Sequence, residues 1–282
     1  VRNYGFEAML SYGHRWGDFG WDSSFTFSAN KNEIVELVKD YVHPETGKTY
    51  NVDKLELKTD EGRGFGKAKF ILKEGGTLGD LYTHADLKRD INGNILIDDS
   101  GNVTAIDNAG DIKLGSVLPK ANLAWNNSFS YKGINAGFLL TARLGGIVYS
   151  ATQAYLDLYG VSETSAAARD AGGVWINGRS RVNPQSFYEV VASQSGLPTY
   201  YTYSATNLRL QEAHIGYTVP RRWLGNVCDI NVSLVGRNLW MIYCKAPFDP
   251  EAVATTNNYY QGIDYFMMPS TRNIGFNIKI NF

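Results

Sequence analysis

The sequence lacks the long apolar run that a transmembrane helix needs, because no uninterrupted apolar stretch approaches 18 residues. Cysteine is scarce. The two that occur, Cys228 and Cys244, would lie roughly 50 Å apart on an extended segment, which excludes a disulfide between them. Two cysteines and four dispersed histidines also give no zinc-type spacing. We therefore expect neither a metal centre nor a cofactor.

Excess charge of one sign is also missing. The formal net charge is −1, and Lys and Arg are scattered rather than clustered, so nucleic acid is excluded as a partner. No nucleophile elbow, phosphate-cradling loop or histidine metal motif occurs. Carboxylate pairs such as Asp60/Glu61 and Asp98/Asp99 lie on loops, whereas a glycosidase needs its two carboxylates on a rigid scaffold. We predict no catalytic residues and no enzymatic activity.

Aromatic residues and glycine are abundant, with 18 Tyr, 13 Phe, 6 Trp and 29 Gly. This composition is typical of transmembrane strands with aromatic girdles and of long glycine-bearing loops. A soluble β-sandwich could share it. The pattern of the residues, rather than their number, separates the two classes.

The carboxy-terminal run 272–282 alternates throughout between apolar and polar residues and ends on Phe282. At eleven residues it is long enough for a tilted strand to cross a bilayer, and about twice the usual soluble strand. Similar alternation recurs, which predicts seven membrane-spanning strands with one apolar and one small or polar face. Their expected ranges are 3–13, 19–30, 121–131, 134–144, 207–219, 229–240 and 272–282.

The connections between these strands alternate between short turns and loops of about 30 to 90 residues. In bacterial barrels the short turns are periplasmic and the long loops extracellular, so the alternation supports a count of seven. The run Gly62 to Leu72 would break it, and is therefore expected inside the first long loop. Within 207–219 the apolar phase changes after Leu210, which predicts a β-bulge near Gln211-Glu212. The alternative is that the upper half of this strand leaves the lipid.

Seven strands alone would leave two unpaired edges, which lipid does not tolerate. The chain also starts at Val1 inside a predicted strand, with neither a start methionine nor a signal peptide. We expect the whole of 1–282 to be the carboxy-terminal part of a larger barrel.

The run Asp90 to Asp98 has oxygen-bearing residues at alternate positions, as calcium loops do. Its glycine is misplaced for such a loop, and no Glu closes it. Asn92-Gly93 between Ile91 and Ile95 favours a hairpin turn instead. A second turn is expected at Asp99–Asn102.

Several short motifs follow one another in an informative order, although none is specific alone. They are Asn3-Tyr-Gly-Phe-Glu7, Phe19-Gly-Trp21, Phe27-Ser-Ala-Asn-Lys-Asn-Glu33, Lys73-Glu-Gly-Gly-Thr-Leu-Gly79 with Tyr82, Leu114-Gly-Ser-Val-Leu-Pro119, Arg143-Leu-Gly-Gly146 with Tyr149, Asn207-Leu-Arg-Leu-Gln-Glu212, Gly216-Tyr-Thr-Val-Pro220, Ser233-Leu-Val-Gly-Arg-Asn-Leu239, Phe248-Asp-Pro-Glu251 and Gly262-Ile-Asp-Tyr265. Together they resemble the SusC/RagA-like TonB-dependent outer-membrane transporters, nearly from end to end.

The resemblance implies an all-β transmembrane antiparallel barrel of about 22 strands, of which this chain would supply the last seven. It implies a place in the bacterial outer membrane and active import of an oligosaccharide or a peptide. A SusD-like surface lipoprotein would cap the loops, and the TonB complex would act through plug and amino-terminal segments that this sequence lacks. A passive porin or a barrel-anchored adhesin remains the alternative.

Five aromatic residues fall in segments expected to face outside, namely Trp175, Tyr200, Tyr201, Tyr259 and Tyr260. Flat rings beside polar groups suit sugars and peptides, which makes these residues candidates for substrate binding. The alternative is that they pack the loops together or contact the lipoprotein.

Overall fold

The computed structural model describes residues 1–57, 65–255 and 261–281. Within these ranges the chain is mainly β-strand, with three short helices. No helix in the described part of the chain is long and apolar enough to cross a membrane. The predicted all-β class is confirmed.

The strands and helices follow one another in groups along the chain. The first hairpin, β1 (Arg2–Trp16) and β2 (Phe19–Glu33), precedes a long loop with β3 (Val38–Val42), β4 (Thr49–Val52), β5 (Lys54–Glu56), β6 (Ala68–Lys73), β7 (Asp80–Thr83), β8 (Asp86–Leu87), β9 (Ala105–Ile106) and β10 (Ile112–Ser116). The second hairpin, β11 (Ala121–Tyr131) and β12 (Ile134–Leu144), precedes β13 (Ile147–Ser150), α1 (Ala151–Leu158), α2 (Glu163–Asp170), β14 (Val174–Ile176), β15 (Ser180–Val182), α3 (Pro184–Val191) and β16 (Thr202–Ser204). The last group is β17 (Asn207–Val219), β18 (Asp229–Cys244), β19 (Ile263–Asp264) and β20 (Asn273–Asn281), with 3₁₀ turns at Ser193–Ser195 and Arg221–Trp223.

Seven long strands form one antiparallel sheet in the order β1-β2-β11-β12-β17-β18-β20. All seven predicted strands are present, and neighbours along the chain are neighbours in the sheet. Strands β1, β2 and β18 are longer than predicted because pairing continues past the last strictly alternating residue. We call this sheet the wall.

The register of the wall places apolar residues opposite one another on a single face. The row nearest the short turns runs across all seven strands and contains Trp16, Phe19, Tyr131, Ile134, Tyr217, Val232 and Ile278. On the other face, a row in the middle of the wall contains Ser11, Ser24, Asn126, Leu139, Glu212, Arg237 and Asn273. Only one residue of the seven in this second row is apolar, as expected for the interior side of a lipid-facing wall with a wet or plugged interior. We call these the apolar and polar faces.

A β-bulge at Gln211 keeps the apolar face continuous. Leu210 pairs with Leu140 and Glu212 with Leu139, so Gln211 has no partner on β12. The extra residue shifts the phase by one, and Ala213 and Ile215 therefore lie on the same face as Leu210. The predicted bulge is confirmed at the predicted place.

The short turns all lie at one edge of the wall. Lys132 and Gly133 join β11 to β12 with φ of 46° and 88°, the positive pair that a type I′ hairpin turn requires. Gly17-Asp18 and residues 220–228 form the other short turns. The long loops, 34–120, 145–206 and 245–272, leave from the opposite edge.

The described part of the run expected inside the first loop, residues 65–72, lies outside the wall. It includes all of β6 except Lys73, and β6 belongs to a four-stranded sheet ordered β10-β7-β6-β5. Both expected hairpin turns are also present. Arg89 bridges Ile95 around Asn92-Gly93, and Ile97 bridges Val103 around the Asp99–Asn102 turn.

Some predictions fall on residues outside the described ranges. These are Tyr259 and Tyr260, the carboxylate pair Asp60/Glu61, the first three residues of the Gly62 run, and the terminal Phe282.

Candidate functional site

The three long loops pack into one folded layer at the long-loop edge of the wall. A shared apolar core takes Leu81 from the first loop, Tyr149 and Leu197 from the second, and Ile263 from the third, each at most 1% exposed. Strand β13 lies at the centre, paired with β16 on one side and in parallel with β19 on the other. Because every loop contributes to the same core, the layer is a small domain rather than three independent loops.

Two buried hydrogen bonds fix the second loop in this core, one to the third loop and one within the second loop itself. Ser150 Oγ donates to Asp264 Oδ2 at 2.5 Å and also caps the first turn of α1. Tyr149 donates its hydroxyl to the carbonyl of Ser195, also at 2.5 Å. The β13–α1 junction is therefore fixed to the third loop by both backbone and side-chain bonds.

Tyr201, one of the predicted binding residues, lies inside this core. It is 2% exposed, and its hydroxyl donates to Asp157 Oδ2 at 3.0 Å. Burial, followed by the charge of Asp157, raises the pKa of Tyr201 above its ordinary value. Both ring and hydroxyl are engaged within the loop layer, an arrangement that fits the packing alternative.

Tyr200 and Trp175 differ from Tyr201 in their exposure. Tyr200 is half-buried, with its ring edge-on to Phe187 at 6.1 Å, and burial raises the pKa of its hydroxyl. Trp175 is 55% exposed on β14, and the guanidinium of Arg181 lies 4.4 Å from its ring centre. Of Trp175, Tyr200 and Tyr201, Trp175 therefore has the ring most available to a ligand. Substrate binding by the candidate residues stays a prediction.

The polar face of the wall meets the loop layer at a buried charge cluster centred on Arg209. Arg209 is 4% exposed and donates to Asn238 Oδ1 at 2.9 Å and to Asp249 Oδ1 at 2.7 Å. Glu251 lies 3.4 Å from the same guanidinium, and Ser270 donates to Asp249. Burial acts to raise the pKa of Asp249, but the hydrogen bonds from Arg209 and Ser270 hold it below the ordinary value.

Backbone geometry explains why Asn238 can reach Arg209. Asn238 has a φ of 51°, in the left-handed region that Asn tolerates better than most residues. It sits where β18 has one residue more than β17 between their paired positions. Its side chain also donates to the carbonyl of Thr271. The cluster therefore fastens the third loop, at both of its ends, to two wall strands.

Arg209, Asn238 and Asp249 lie in three separate sequence motifs, and the sequence did not predict their contact. Asn238 and Asp249 follow Arg209 by 29 and 40 residues along the chain, and no local pattern links the three residues. The available signal was residue type alone, because Arg209 is a charged residue on the polar phase of a predicted membrane strand.

A groove of about 740 Å³ lies beneath the loop layer on the polar side of the wall. Its lining includes both acidic and basic side chains. These include Glu7 from β1, Arg143 from β12, Gln211 at the bulge and Glu251 from the third loop. Arg143 donates to the carbonyl of Val117 at 2.7 Å, which fixes its guanidinium at the groove wall. Such a surface suits a ligand or a protein segment that carries both donors and acceptors.

The carboxylates that sequence analysis weighed for calcium have structural partners. Asp90 accepts from the backbone N–H groups of Asn92 and Asn94, each at 2.8 Å, and Asp98 accepts from Ser100 and Asn102, each at 2.9 Å. The side-chain amide of Asn94 is the largest influence that lowers the pKa of Asp90. In 1–57, 65–255 and 261–281, His, Cys, Asp and Glu form no group of three or more that could hold a metal ion.

No protein-family model matches the chain. Among curated proteins it is 25% identical over 289 residues to TonB-dependent receptor P3 of Formosa agariphila, covering 93% of this chain and 27% of the receptor. TonB-dependent receptor P26 of the same organism is also 25% identical, over all of this chain and 29% of its own length. The resemblance to TonB-dependent receptors is confirmed. The chain spans less than a third of each of these receptors.

Solved structures agree on the fold of this receptor-like segment. The RagAB peptide importer in its closed-closed state superposes on 99% of the chain with a TM-score of 0.65 at 17% identity, using 29% of its own chain. Its open-open state gives 0.57 at 17% identity. At this identity the match shows the fold alone, a part of a transporter barrel. The predicted outer-membrane location is confirmed, and the relatives are receptors and transporters rather than enzymes.

Proposed function

We propose that residues 1–282 form the carboxy-terminal wall strands and part of the outer loop layer of a TonB-dependent importer for oligosaccharides or peptides. The observation that carries the proposal is the seven-stranded wall, with one apolar and one polar face, under a folded loop layer. The apolar face fits lipid, and the polar face fits an interior through which a hydrophilic nutrient passes. The loop layer and the groove beneath it lie where such a nutrient would enter.

Energy coupling and capping belong to the same proposal. The curated relatives are named TonB-dependent receptors, and this supports coupling to the TonB complex through segments outside 1–282. RagAB is named a peptide importer, which supports peptides beside oligosaccharides as the substrate class. A SusD-like surface lipoprotein would cover the loop layer. The three loops of this layer are far longer than is needed to connect neighbouring strands, and long folded loops commonly bind a partner.

Transport is tested in the organism with the full-length parent gene. A deletion strain should lose growth on one oligosaccharide or peptide from a panel of both, and the intact gene should restore it. Uptake of the labelled nutrient should stop on collapse of the proton gradient. Uptake that continues without the gradient would indicate a passive porin, and normal growth with loss of surface attachment would indicate an adhesin.

Partnership is tested by purifying the tagged parent in mild detergent. We expect a surface lipoprotein to co-purify in near-equal amounts. The test variant is Tyr149→Asp, which places a charge in the shared core of the loop layer and leaves the wall unchanged. It should lose the lipoprotein. Retention of the lipoprotein by this variant would place the contact outside the loop layer.

A further inference from the structure

A second groove, of about 900 Å³, lies on the apolar side of the wall at the long-loop edge. Its floor consists of Tyr4 and Phe6 on β1 and Ala29 on β2, all in the phase of the apolar face. Its upper wall consists of Leu118, Pro119 and Ile147 from the loop layer. The groove therefore continues the lipid-facing surface upward, beneath an overhang of the loops.

Small residues create the space. Ala29 pairs with Phe6 across β1 and β2, and its small side chain leaves space above the floor of the groove. The Phe6 and Phe27 rings are neighbours, with their centres 6.2 Å apart. Gly145 turns the chain away from β12 with a φ of 76°, and a Cβ there would come within 2.8 Å of Lys120 Cγ. The side chain of Lys120 is thus held against the backbone at the groove.

The rim carries positive charge on two different walls. Lys31, on β2, and Lys120, at the entry to β11, both line the groove and are exposed. Glu33 is the nearby acid, with its carboxylate 4.0 Å from Lys31 Nζ, and Arg2 pairs with Glu33 across the strands. Lys31 and Lys120 are the charged side chains among the described lining residues, which include no Asp or Glu, so the rim is cationic.

Two hydroxyl groups also line the groove. Those of Ser116 and Thr77 have their oxygens 2.9 Å apart, and Thr77 donates to Asp80 at 2.7 Å. The groove thus combines an apolar floor, two separated lysines and hydroxyls at one end. Acyl chains suit the floor, phosphates suit the lysines, and a sugar headgroup suits the hydroxyls.

We propose that this groove binds a phosphorylated glycolipid of the outer leaflet, with an acyl chain over Ala29 and phosphate groups at Lys31 and Lys120. The position at the long-loop edge favours an outer-leaflet lipid, since that edge is extracellular in bacterial barrels. The nutrient is not the occupant, because the groove opens on the lipid side of the wall rather than on the polar face.

The test uses the purified full-length parent and native mass spectrometry with three lipids: bisphosphorylated lipid A, its dephosphorylated form, and phosphatidylglycerol. We expect lipid A to bind at least tenfold more tightly than either of the others. Lys31→Glu with Lys120→Glu should remove at least tenfold of that affinity. Lys39→Glu with Lys48→Glu, the same charge change at exposed loop positions outside the groove, should leave it unchanged.

A second variant tests the floor without altering charge. Ala29→Trp should fill the groove and weaken lipid A binding, while Ile278→Trp, remote on the apolar face, should not. The heat-dependent gel mobility of each variant establishes that the barrel has folded. Equal binding of all three lipids, or an unchanged affinity in the Lys31/Lys120 and Ala29 variants, would overturn the proposal.

Discussion

Arg209 is the residue at which the wall and the loop layer depend most on each other. Its guanidinium satisfies Asp249 from the third loop and Asn238 from the neighbouring strand, in a site almost closed to solvent. A buried charge that loses its partner is costly, because neither water nor another group replaces the lost bonds. The cluster therefore concentrates the attachment of residues 245–272 in a few side chains.

Arg209→Met should destabilise the third loop by about 3–5 kcal/mol, since it leaves Asp249 buried without its cation. We expect faster proteolysis within residues 245–272 of the folded parent. The matched control is Arg237→Met, on the same pair of strands. Arg237 is exposed and its partner Glu212, 3.0 Å away, is partly exposed, and solvent-accessible pairs of this kind contribute about 0.2–1 kcal/mol. Equal protease sensitivity of the two variants would show that the cluster does not hold the loop.

Trp175→Ala should reduce nutrient uptake by the parent several-fold without changing its folding, because the ring is half exposed and contributes little to the core. Tyr201→Phe should instead lower the stability of the loop layer and leave nutrient binding unchanged. It removes a hydrogen bond to buried Asp157, costing about 1–3 kcal/mol of loop stability. Uptake kinetics and thermal melting separate the two effects. Normal uptake by the Trp175 variant would remove it from the binding candidates.

At the scale of single residues, the sequence predicted which side chains face lipid far better than which ones form the site. The phase of Ile278 or Phe25 follows from strict alternation, which any strand of this length must obey. The surroundings of Tyr201 depend on Asp157, 44 residues earlier, and on a core assembled from three loops. Composition identified Tyr201 as an aromatic loop residue but carried no information about its burial.

At the scale of elements, the bulge at Gln211 shows how one residue fixes the register of a whole strand. Without it, every residue from Ala213 to Val219 would move to the opposite face of the wall. The sequence revealed the bulge because the apolar phase changes at that point. Apart from the run that contains most of β6, it did not reveal the strands of the first loop, because these are short and their pairing is set by neighbours remote in sequence.

Deletion of Gln211 should therefore prevent assembly of the barrel, since it turns Ile215 and Tyr217 toward the interior and His214 toward lipid. Gln211→Ala keeps the residue count and should assemble normally. The fraction of parent protein that shows heat-dependent gel mobility measures both. Normal assembly of the deletion variant would mean that the strand can slide by one residue without penalty, contrary to its two-faced pattern.

Strand β20 allows a direct test of the faces. Ile278 pairs with Val232 on the apolar face, and Asn277 pairs with Ser233 on the polar face. Ile278→Arg should cost about 2–4 kcal/mol if the side chain lies near the bilayer midplane, and Asn277→Arg should be tolerated. Urea unfolding of the parent in lipid vesicles measures the difference. Equal losses would contradict the assignment of the two faces.

At the scale of the whole molecule, the seven strands and their connections divide the chain into two sides. All short turns lie at one edge and the folded loop layer at the other, so a single orientation in the membrane determines which residues each compartment meets. This arrangement followed from the sequence because loop length and strand alternation are both local properties. The folding of the loops into one layer did not follow, because it depends on a core that no single loop can form.

Impermeant thiol reagents test the orientation on intact cells. In a parent with Cys228→Ser and Cys244→Ser, we expect Ala171→Cys to react, because Ala171 is exposed in the loop layer and that layer is extracellular in the proposed orientation. Arg222 is also exposed, but it lies in the short turn between β17 and β18, so Arg222→Cys should react only after the outer membrane is opened. If only Arg222→Cys were labelled on intact cells, the protein would have the opposite orientation in the membrane. The groove on the apolar face would then meet the inner leaflet of the outer membrane, and the loop layer would lie in the periplasm.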